Sequence, residues 1–512
     1  MIQPALQTNY TIDTNPISKM FLSLEIIVSL LYLGCVLFYL QKGDLFLFSL
    51  LAISEVFHVW LLLTLIYTLW PRKIQRQFDS KITPVVDIFI TVVNEPVEIV
   101  KETIIACKNL NYKFKNIYIL NDGFVCNYEG WEDVFNLAKE QGIGCITRKI
   151  PGGAKAGNIN NALKSTEGDL ILIFDADHIP NSDFLDKTVP YFVDENVGFV
   201  QSPQYYKNFH INPVTLGAAE QQELFFGPIM NGKDALNSAF MCGTNMILRR
   251  KMLDQVDGLC ETNIAEDFMT SLLVHQKGWK SIYIPEILAK GLAPEDFLSY
   301  CKQQFRWARG SMEILFWHNP IFSKTLTFAQ KLNYFISASY YLGGIIVIIN
   351  LITPMVYLVF GLEPLHSASM ILPALFLPYI VFSVLILNIS TNSGYTFKAL
   401  AFSNGSFWIF CKALFSVIFK QKNSFEVTSK QKISGNFVML VWPHILYFIL
   451  GILAIGFGIY KSGFNPALIT NASWVAFNMI TFVPFVLAAL PEIEWSKIRL
   501  FSPKSASIQA KN

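Results

Sequence analysis

Long apolar runs at both ends of the chain enclose a stretch in which polar and apolar positions alternate. Two runs open the sequence, about 21–40 and 45–70, and four follow residue 330: 334–360, 369–390, 437–460 and 469–490. Each is long enough to cross a bilayer as a helix, which takes about 20 residues. Between Pro71 and about residue 330 the pattern changes to short β-rich runs alternating with helical ones. VVDIFITVV (85–93), NIYIL (116–120), CITRK (145–149) and DLILIF (169–174) read as strands. Val97, Val100, Ile104 and Cys107, then Trp131, Val134, Leu137 and Ala138, then AKAGNINNALKS (154–165), read as the helices between them. This βαβ rhythm predicts a parallel sheet with helices on both faces and its ligand crevice at the strand C-termini. The segment 391–436 is mixed, with Phe407, Trp408, Phe410, Phe415 and Phe419 beside Lys412, Lys420 and Lys422, and predicts an interfacial amphipathic helix followed by a polar loop.

Composition agrees with a membrane protein. Of 512 residues, 52% are hydrophobic and only 15% charged, against about 25% charged in soluble domains. That excludes a disordered chain, a nucleic-acid-coating protein and an ordinary cytosolic enzyme. A net charge of +2 supplies no bulk attraction to nucleic acid. The eight cysteines include no CxxC pair, which argues against a zinc site or a disulfide scaffold and suggests a reducing compartment for the central region. No small-residue cleavage site separates the first two runs, so a removed leader is not expected. Glu25, Glu55 and His58 lie inside those runs and read as packing or helix-end positions rather than an ion path.

The basic residues orient the chain. Arg72, Lys73, Arg76 and Lys81 follow the second run, and six lysines against one glutamate occupy 391–436. Lys497, Arg499, Lys504 and Lys511 mark the tail, whereas the short turns 41–44, 361–368 and 461–468 hold only Lys42 and Lys461. The positive-inside rule places the α/β region and both termini in the cytoplasm of a multi-pass plasma or inner membrane protein. The expected organisation is a cytosolic tail (1–20), two transmembrane helices (21–70), a cytosolic α/β domain ending in interfacial helices (71–330), two transmembrane helices (331–390), an interfacial helix and polar loop (391–436), two more transmembrane helices (437–490) and a short cytosolic tail (491–512).

Acidic residues gather where strands end. Asp122 lies in Asn121-Asp122-Gly123, and Asp175 and Asp177 lie in a DADH run at the exit of an apolar strand. Two carboxylates spaced i, i+2 there suit a divalent cation, Mg²⁺ or Mn²⁺, bridging to a diphosphate. Lys155 sits in a Gly-rich lead into a helix, a weak phosphate signal that a plain helix start matches equally well. Glu266-Asp267 opens a further helical run: the pair reads either as acidic residues favoured at a helix N-terminus or as a site whose Asp267 is a general base. Gln303, Arg306 and Trp307 share one helix face, suited either to a diphosphate and a sugar ring or to a membrane interface with a Trp anchor.

The order NDG, DADH, AED, QQFRW resembles the processive family 2 glycosyltransferases of the bacterial cellulose synthase type. Over about 71–440, ITVVNEP (90–96), AKAGNINNAL (154–163), FDADHIPNSDFL (174–185), FVQSPQ (199–204), FMCGTNMILRR (240–250), LAKGLAPEDF (288–297) and QQFRWARG (303–310) are similar to segments of that family. FEVTSK (425–430) is similar to its FxVTxK gating loop. The resemblance implies an α/β GT-A domain inserted into a helical transmembrane domain. It implies a UDP-sugar donor, a growing polysaccharide acceptor, a divalent cation, the lipid bilayer as surroundings, and room for accessory export subunits. By the same resemblance Asp122, Lys155, Asp175, Gln303 and Arg306 bind the nucleotide sugar, and Asp175 and Asp177 hold the metal. Asp267 is the catalytic base, with Arg306 at the leaving diphosphate. Phe240, Cys242, Gly243, Glu266 and Trp307 bind the acceptor, and Phe425, Val427, Thr428 and Lys430 form the gating loop. UDP-glucose and a β-1,4-glucan are the favoured donor and product; a 1,3-glucan, a capsular glucan or a mannan is the alternative, and an inactive transporter or scaffold the reading in another class. Three departures bear on sugar and linkage: Asn121 for Asp, Gly153 for His and Ala265 for Thr. About 20 residues follow the last run, too few for a PilZ domain, so control by cyclic di-GMP through this chain is not expected.

Overall fold

The computed structural model describes residues 10–13, 17–366, 371–391, 394–421, 433 and 435–491. Its centre is a seven-stranded sheet. In chain order the strands are β1 (Val86–Val92), β2 (Lys115–Asn121), β3 (Gly144–Thr147), β4 (Leu170–Asp175), β5 (Val197–Gln201), β6 (Met246–Arg249) and β7 (Lys280–Tyr283). They lie in the order β7-β5-β6-β4-β1-β2-β3. The four strands expected from the pattern are all present, mutually parallel and adjacent. β6, however, runs antiparallel to both β4 and β5, so the sheet is mixed rather than parallel. This reversal lets one chain segment descend from the crevice as a strand, leaving Phe240–Thr244 at its rim.

Both faces of the sheet are covered, which is why its central strands are continuously apolar. In β1, Ile88, Ile90 and Val92 enter one core with Leu172 and Phe174 of β4. Phe89 enters the opposite core with Ile171 and Ile173. The one charge within β1, Asp87, is fully buried and satisfied by Asn116 Nδ2 (2.9 Å), the Gly168 N–H (2.6 Å) and Arg250 Nη2 (3.1 Å). A buried carboxylate with three donors is tolerated where an unpaired one is not.

Among the described residues, six helical segments are long and apolar enough to cross a membrane: Lys19–Tyr39, Leu45–Leu69, Phe328–Phe360, Phe397–Ile418, Val438–Ser462 and Pro466–Ala488. They include Phe397–Ile418, within the segment expected to be interfacial, while an apolar helix stands where the span 369–390 is expected. Residues 371–390 form an apolar helix of 20 residues, while Phe397–Ile418 is divided at Ser406 into Phe397–Gly405 and Phe407–Ile418. The divided segment is 61% buried inside the protein, against 22–33% for the other five. Its second half packs on the long Phe297–Trp317 helix through Phe410, Ala413, Leu414 and Val417.

A separate two-stranded ladder ties together the two ends of the first helical hairpin. Tyr10–Asp13, ahead of the first helix, pairs antiparallel with Lys73–Arg76, which follows the second. Both ends of that helical hairpin are therefore on the side of the α/β domain. Its turn lies at the other end, where Gly43 and Asp44 N–H groups donate to Pro364 O (3.1 Å) and Glu363 O (2.8 Å).

Candidate active site

Strand register brings the candidate residues together. Thr91 of β1 stands opposite Asp175 of β4, and Val92 opposite Asn121 of β2, so the three strand ends form one edge. Thr91 Oγ1 donates to Asp175 Oδ1 (3.3 Å), and the Asp175 N–H donates to Thr244 Oγ1 (2.9 Å). Lys155, at the start of the Ala154–Leu163 helix, donates to Asp175 Oδ1 and to Gly243 O (2.8 Å). Gly243 has φ +82°, and a Cβ there would lie 3.2 Å from Asp267 Oδ2 and 4.0 Å from Lys155 Nζ. Asp175, Lys155, Gly243 and Asp267 thus surround one small space, and a side chain at 243 would be both strained and intrusive.

Asp267 lies in the first turn of the Glu266–Gln276 helix, and its Oδ1 accepts from the Phe268 N–H (2.7 Å). Burial, reinforced by the Glu266 carboxylate, lifts its pKa to about 7, with the Phe268 N–H, Lys155 and Arg306 opposing the rise. Burial also raises Glu266, again against Lys155 and Arg306. A carboxylate poised near neutrality suits general-base work. The turn before it packs tightly: a Cβ on Gly310 would come 2.4 Å from Ala265 Cβ. That contact seats the acidic pair on the Phe297–Trp317 helix, which carries Gln303, Arg306 and Trp307. Gln303 Oε1 is buried without a hydrogen-bond partner among the described residues.

Phe240, Cys242 and Gly243, expected at the acceptor, lie on the segment leading into β6. Phe240 is buried among Phe225, Phe268 and Tyr334, its ring centroid 4.6 Å from that of Phe268. The Cys242 N–H donates to Gln201 Oε1 (2.8 Å), and Gln204 Nε2 donates to Cys242 O (2.5 Å). Burial, with Asp267 nearby, holds the Cys242 thiol well above its ordinary pKa, which fits a packing role rather than a nucleophile.

Asp122 occupies the same edge, but its carboxylate is gripped by Arg148, Nε to Oδ1 at 2.7 Å and Nη2 to Oδ2 at 2.6 Å. Arg148 also donates to Gly152 O and Ala154 O (2.9 Å), tying Asp122 to the loop that presents Lys155. The pattern reading passed over Arg148 because CITRK scored only as a strand; its position at a strand's C-terminal end was the available signal. It also passed over Glu95, whose carboxylate accepts from the Val93 (2.7 Å) and Asn94 (3.2 Å) N–H groups beside β1.

A cation site fits the residues present. Asp175, Asp177 and His178 can each offer a ligand atom, all within 4.8 Å of one another. Asp177 Oδ2 accepts from the Leu292 N–H (2.9 Å), and His178 Nδ1 lies 3.4 Å from Asp177 Oδ1. The His178 ring nitrogens are buried and make no hydrogen bond among the described residues. Two hard carboxylates and one imidazole suit Mg²⁺ or Mn²⁺. His178 was not anticipated as a ligand.

Phe425, Val427, Thr428 and Lys430 lie outside the described residues. The described residues flanking that stretch both meet one helix: Gln421 O accepts from Arg309 Nη2 (2.6 Å), and the Ile433 N–H donates to Asp296 Oδ2 (3.3 Å) at the helix N-cap.

Comparison with known proteins matches this layout. A model described as glycosyltransferase like family 2 matches residues 84–310, and a cellulose synthase model matches 254–487. The cellulose synthase catalytic subunit (UDP-forming) of Pseudomonas fluorescens is 29% identical over 444 residues, covering 81% of this chain and 58% of that protein. Cellulose synthase 1 catalytic subunit (UDP-forming) of Komagataeibacter xylinus is 30% identical over 410 residues, covering 78% of this chain and 54% of that protein. The chain therefore spans little more than half the length of these two relatives. Among solved structures, a Pyrobaculum calidifontis mannosyltransferase in complex with GDP-mannose and Mn²⁺ aligns at 14% identity and a TM-score of 0.48, covering 78% of this chain and all of that one. The two matched models overlap across the Asp267 and Gln303-Arg306-Trp307 segments and continue through the membrane helices, so from residue 84 to 487 the chain is similar to the family 2 glycosyltransferases of the cellulose synthase group.

Proposed function

We propose that this chain is a processive, inverting synthase that polymerises a UDP-sugar, UDP-glucose into a β-1,4-glucan before other pairs, and passes the polymer across the membrane. The observation that carries the reading is the convergence of Asp175, Lys155, Gly243 and Asp267 on one space beside the Gln303-Arg306-Trp307 helix. A catalytically dead scaffold has no need to hold a carboxyl near neutral pKa there.

Asp122 with Arg148, and Lys155, bind the nucleotide and its phosphates. Asp175, Asp177 and His178 hold the divalent cation, which when bound supplies charge neutralisation at the diphosphate. Glu266 and Trp307 seat the acceptor end beside Phe240, Cys242 and Gly243. Asp267 accepts the proton of the acceptor hydroxyl, whose oxygen attacks the anomeric carbon as the bond to the UDP oxygen breaks. Arg306 and Gln303 stabilise the departing UDP. A single in-line displacement converts an α-linked donor into a β-glycoside. The FEVTSK stretch acts as the gating loop over the nucleotide. The α/β domain and both termini face the cytoplasm, as the basic excess on that side suggests. The Tyr10–Asp13 pairing with Lys73–Arg76 supports the N-terminal part of this topology.

The test is UDP release by the purified full chain in the presence of Mg²⁺ or Mn²⁺ with a panel of UDP-sugars. UDP-glucose is expected to give the highest turnover, and Asp267→Asn to abolish it while UDP still binds. Turnover unchanged in Asp267→Asn would reject the mechanism.

A further inference from the structure

Lys233 is a buried lysine that the reaction scheme leaves unused. It lies on the short Met230–Ala235 helix and is 3% exposed. Its ammonium donates to Asn333 O (3.0 Å), Asn333 Oδ1 (3.3 Å) and Ser337 Oγ (2.8 Å). All three acceptors are uncharged and belong to the Phe328–Ser339 helix, the first part of the third candidate span. The same ammonium stands 5.4 Å from the centroid of the Phe240 ring.

The surroundings make this a fixed junction. Thr68, near the end of the second span, donates to Asn333 Oδ1 (3.2 Å). A Cβ on Gly232 would lie 2.2 Å from Thr68 O, so the helix carrying Lys233 is pressed directly against that span's backbone. On its other side Phe240 stacks at a tilt on Phe268, whose N–H donates to the Asp267 carboxylate. An unbroken series of contacts therefore runs from two membrane helices through Lys233 and Phe240 to the base.

We propose that Lys233 is a positioning residue for the acceptor side of the site: it holds the Phe240 ring in register with the membrane helices through which the product leaves. The inference rests on the proposed synthase reading. Burial lowers the Lys233 amine to a pKa of about 7, and the amine is still directional, because its hydrogen bonds to three fixed neutral oxygens specify where it sits against the Phe240 ring.

Lys233→Met keeps most of the side-chain volume and removes the amine with its three hydrogen bonds. The expected result is a kcat about tenfold lower and shorter product chains, with KM for the UDP-sugar and UDP affinity unchanged. Phe240→Leu is expected to behave alike, and the double variant to be no worse than either single one, the mark of one shared interaction. Should Lys233→Met not accumulate, Ser337→Ala removes one acceptor and is expected to shorten the product to a lesser degree. Product length and kcat equal to those of the parent in these variants would overturn the proposal, as would additive losses in the double variant or a loss that tracks weakened UDP binding. A parent chain that binds UDP yet turns over no UDP-sugar would instead overturn the synthase reading, so the two failures are distinguishable.

Discussion

Asp267 carries the chemistry of the account, and its surroundings define when it can act. A base must be deprotonated, and burial with Glu266 places its pKa near 7. Turnover is therefore expected to rise with pH, about tenfold per unit below 7, and to level off above it, in a pH–rate profile of kcat. An acid limb near pH 4 would show that Asp267 is not the titrating base. The same seat depends on a close packing contact: Gly310→Ala inserts a methyl group against Ala265. The substitution is expected to lower kcat by at least tenfold with UDP affinity retained, read by kinetics beside a binding titration. Parental kcat in that variant would mean the contact does not position the base. Asp267 and Asp175 were legible as candidates because acidic residues are sparse and these two stand at element ends, and Arg306 because it shares one helix face with Gln303 and Trp307. Arg148 and His178 were not, because each looks ordinary until the fold shows what it touches: a buried carboxylate for one, a carboxylate pair for the other.

The Phe297–Trp317 helix joins the site to the rest of the chain. One face presents Gln303, Arg306 and Trp307, while Arg309 pairs with Glu313 (3.0 Å) inside the protein and donates to Gln421 O (2.6 Å), just past the Phe407–Ile418 helix. Removing the guanidinium leaves a buried carboxylate uncompensated. Arg309→Met is expected to cost about 3–5 kcal/mol of stability, and the Arg309→Met/Glu313→Leu pair to recover most of it. Thermal unfolding in detergent measures both; an unchanged midpoint in Arg309→Met would show that the pair contributes nothing. Elements were legible in proportion to their length and apolar continuity. β1, β2 and β4 stood out because burial on both faces demands unbroken apolar runs. β6 did not: MILR is four residues long, is followed at once by a helix, and reverses the sheet for reasons that lie in its partners β4 and β5. The break at Ser406 was equally hidden, since an apolar segment buried in protein and one facing lipid have the same composition.

At the scale of the molecule, the sheet domain is joined to one side of a bundle of apolar helices, and the turns 41–44 and 361–366 meet at the opposite end. With the exposed Cys126 replaced by serine, Lys81→Cys is expected to react with a membrane-impermeant maleimide only after cells are opened, and Lys42→Cys in intact cells. The reverse pattern would invert the proposed orientation. Six long apolar runs with asymmetric flanking charge made a membrane protein legible at once. Which runs face lipid depends on tertiary contacts that no periodicity records. The arrangement sets Phe240 and Lys233 against the apolar helices and Asp122, Lys155 and Asp175 at the sheet edge, and under the proposed function these become an acceptor side and a nucleotide side. The most direct test is the full chain reconstituted in proteoliposomes with radiolabelled UDP-glucose and Mg²⁺ or Mn²⁺. The account predicts an insoluble, labelled polymer that a β-1,4-glucanase degrades and that Asp267→Asn does not make; UDP release yielding only free glucose or a single-sugar adduct would contradict it.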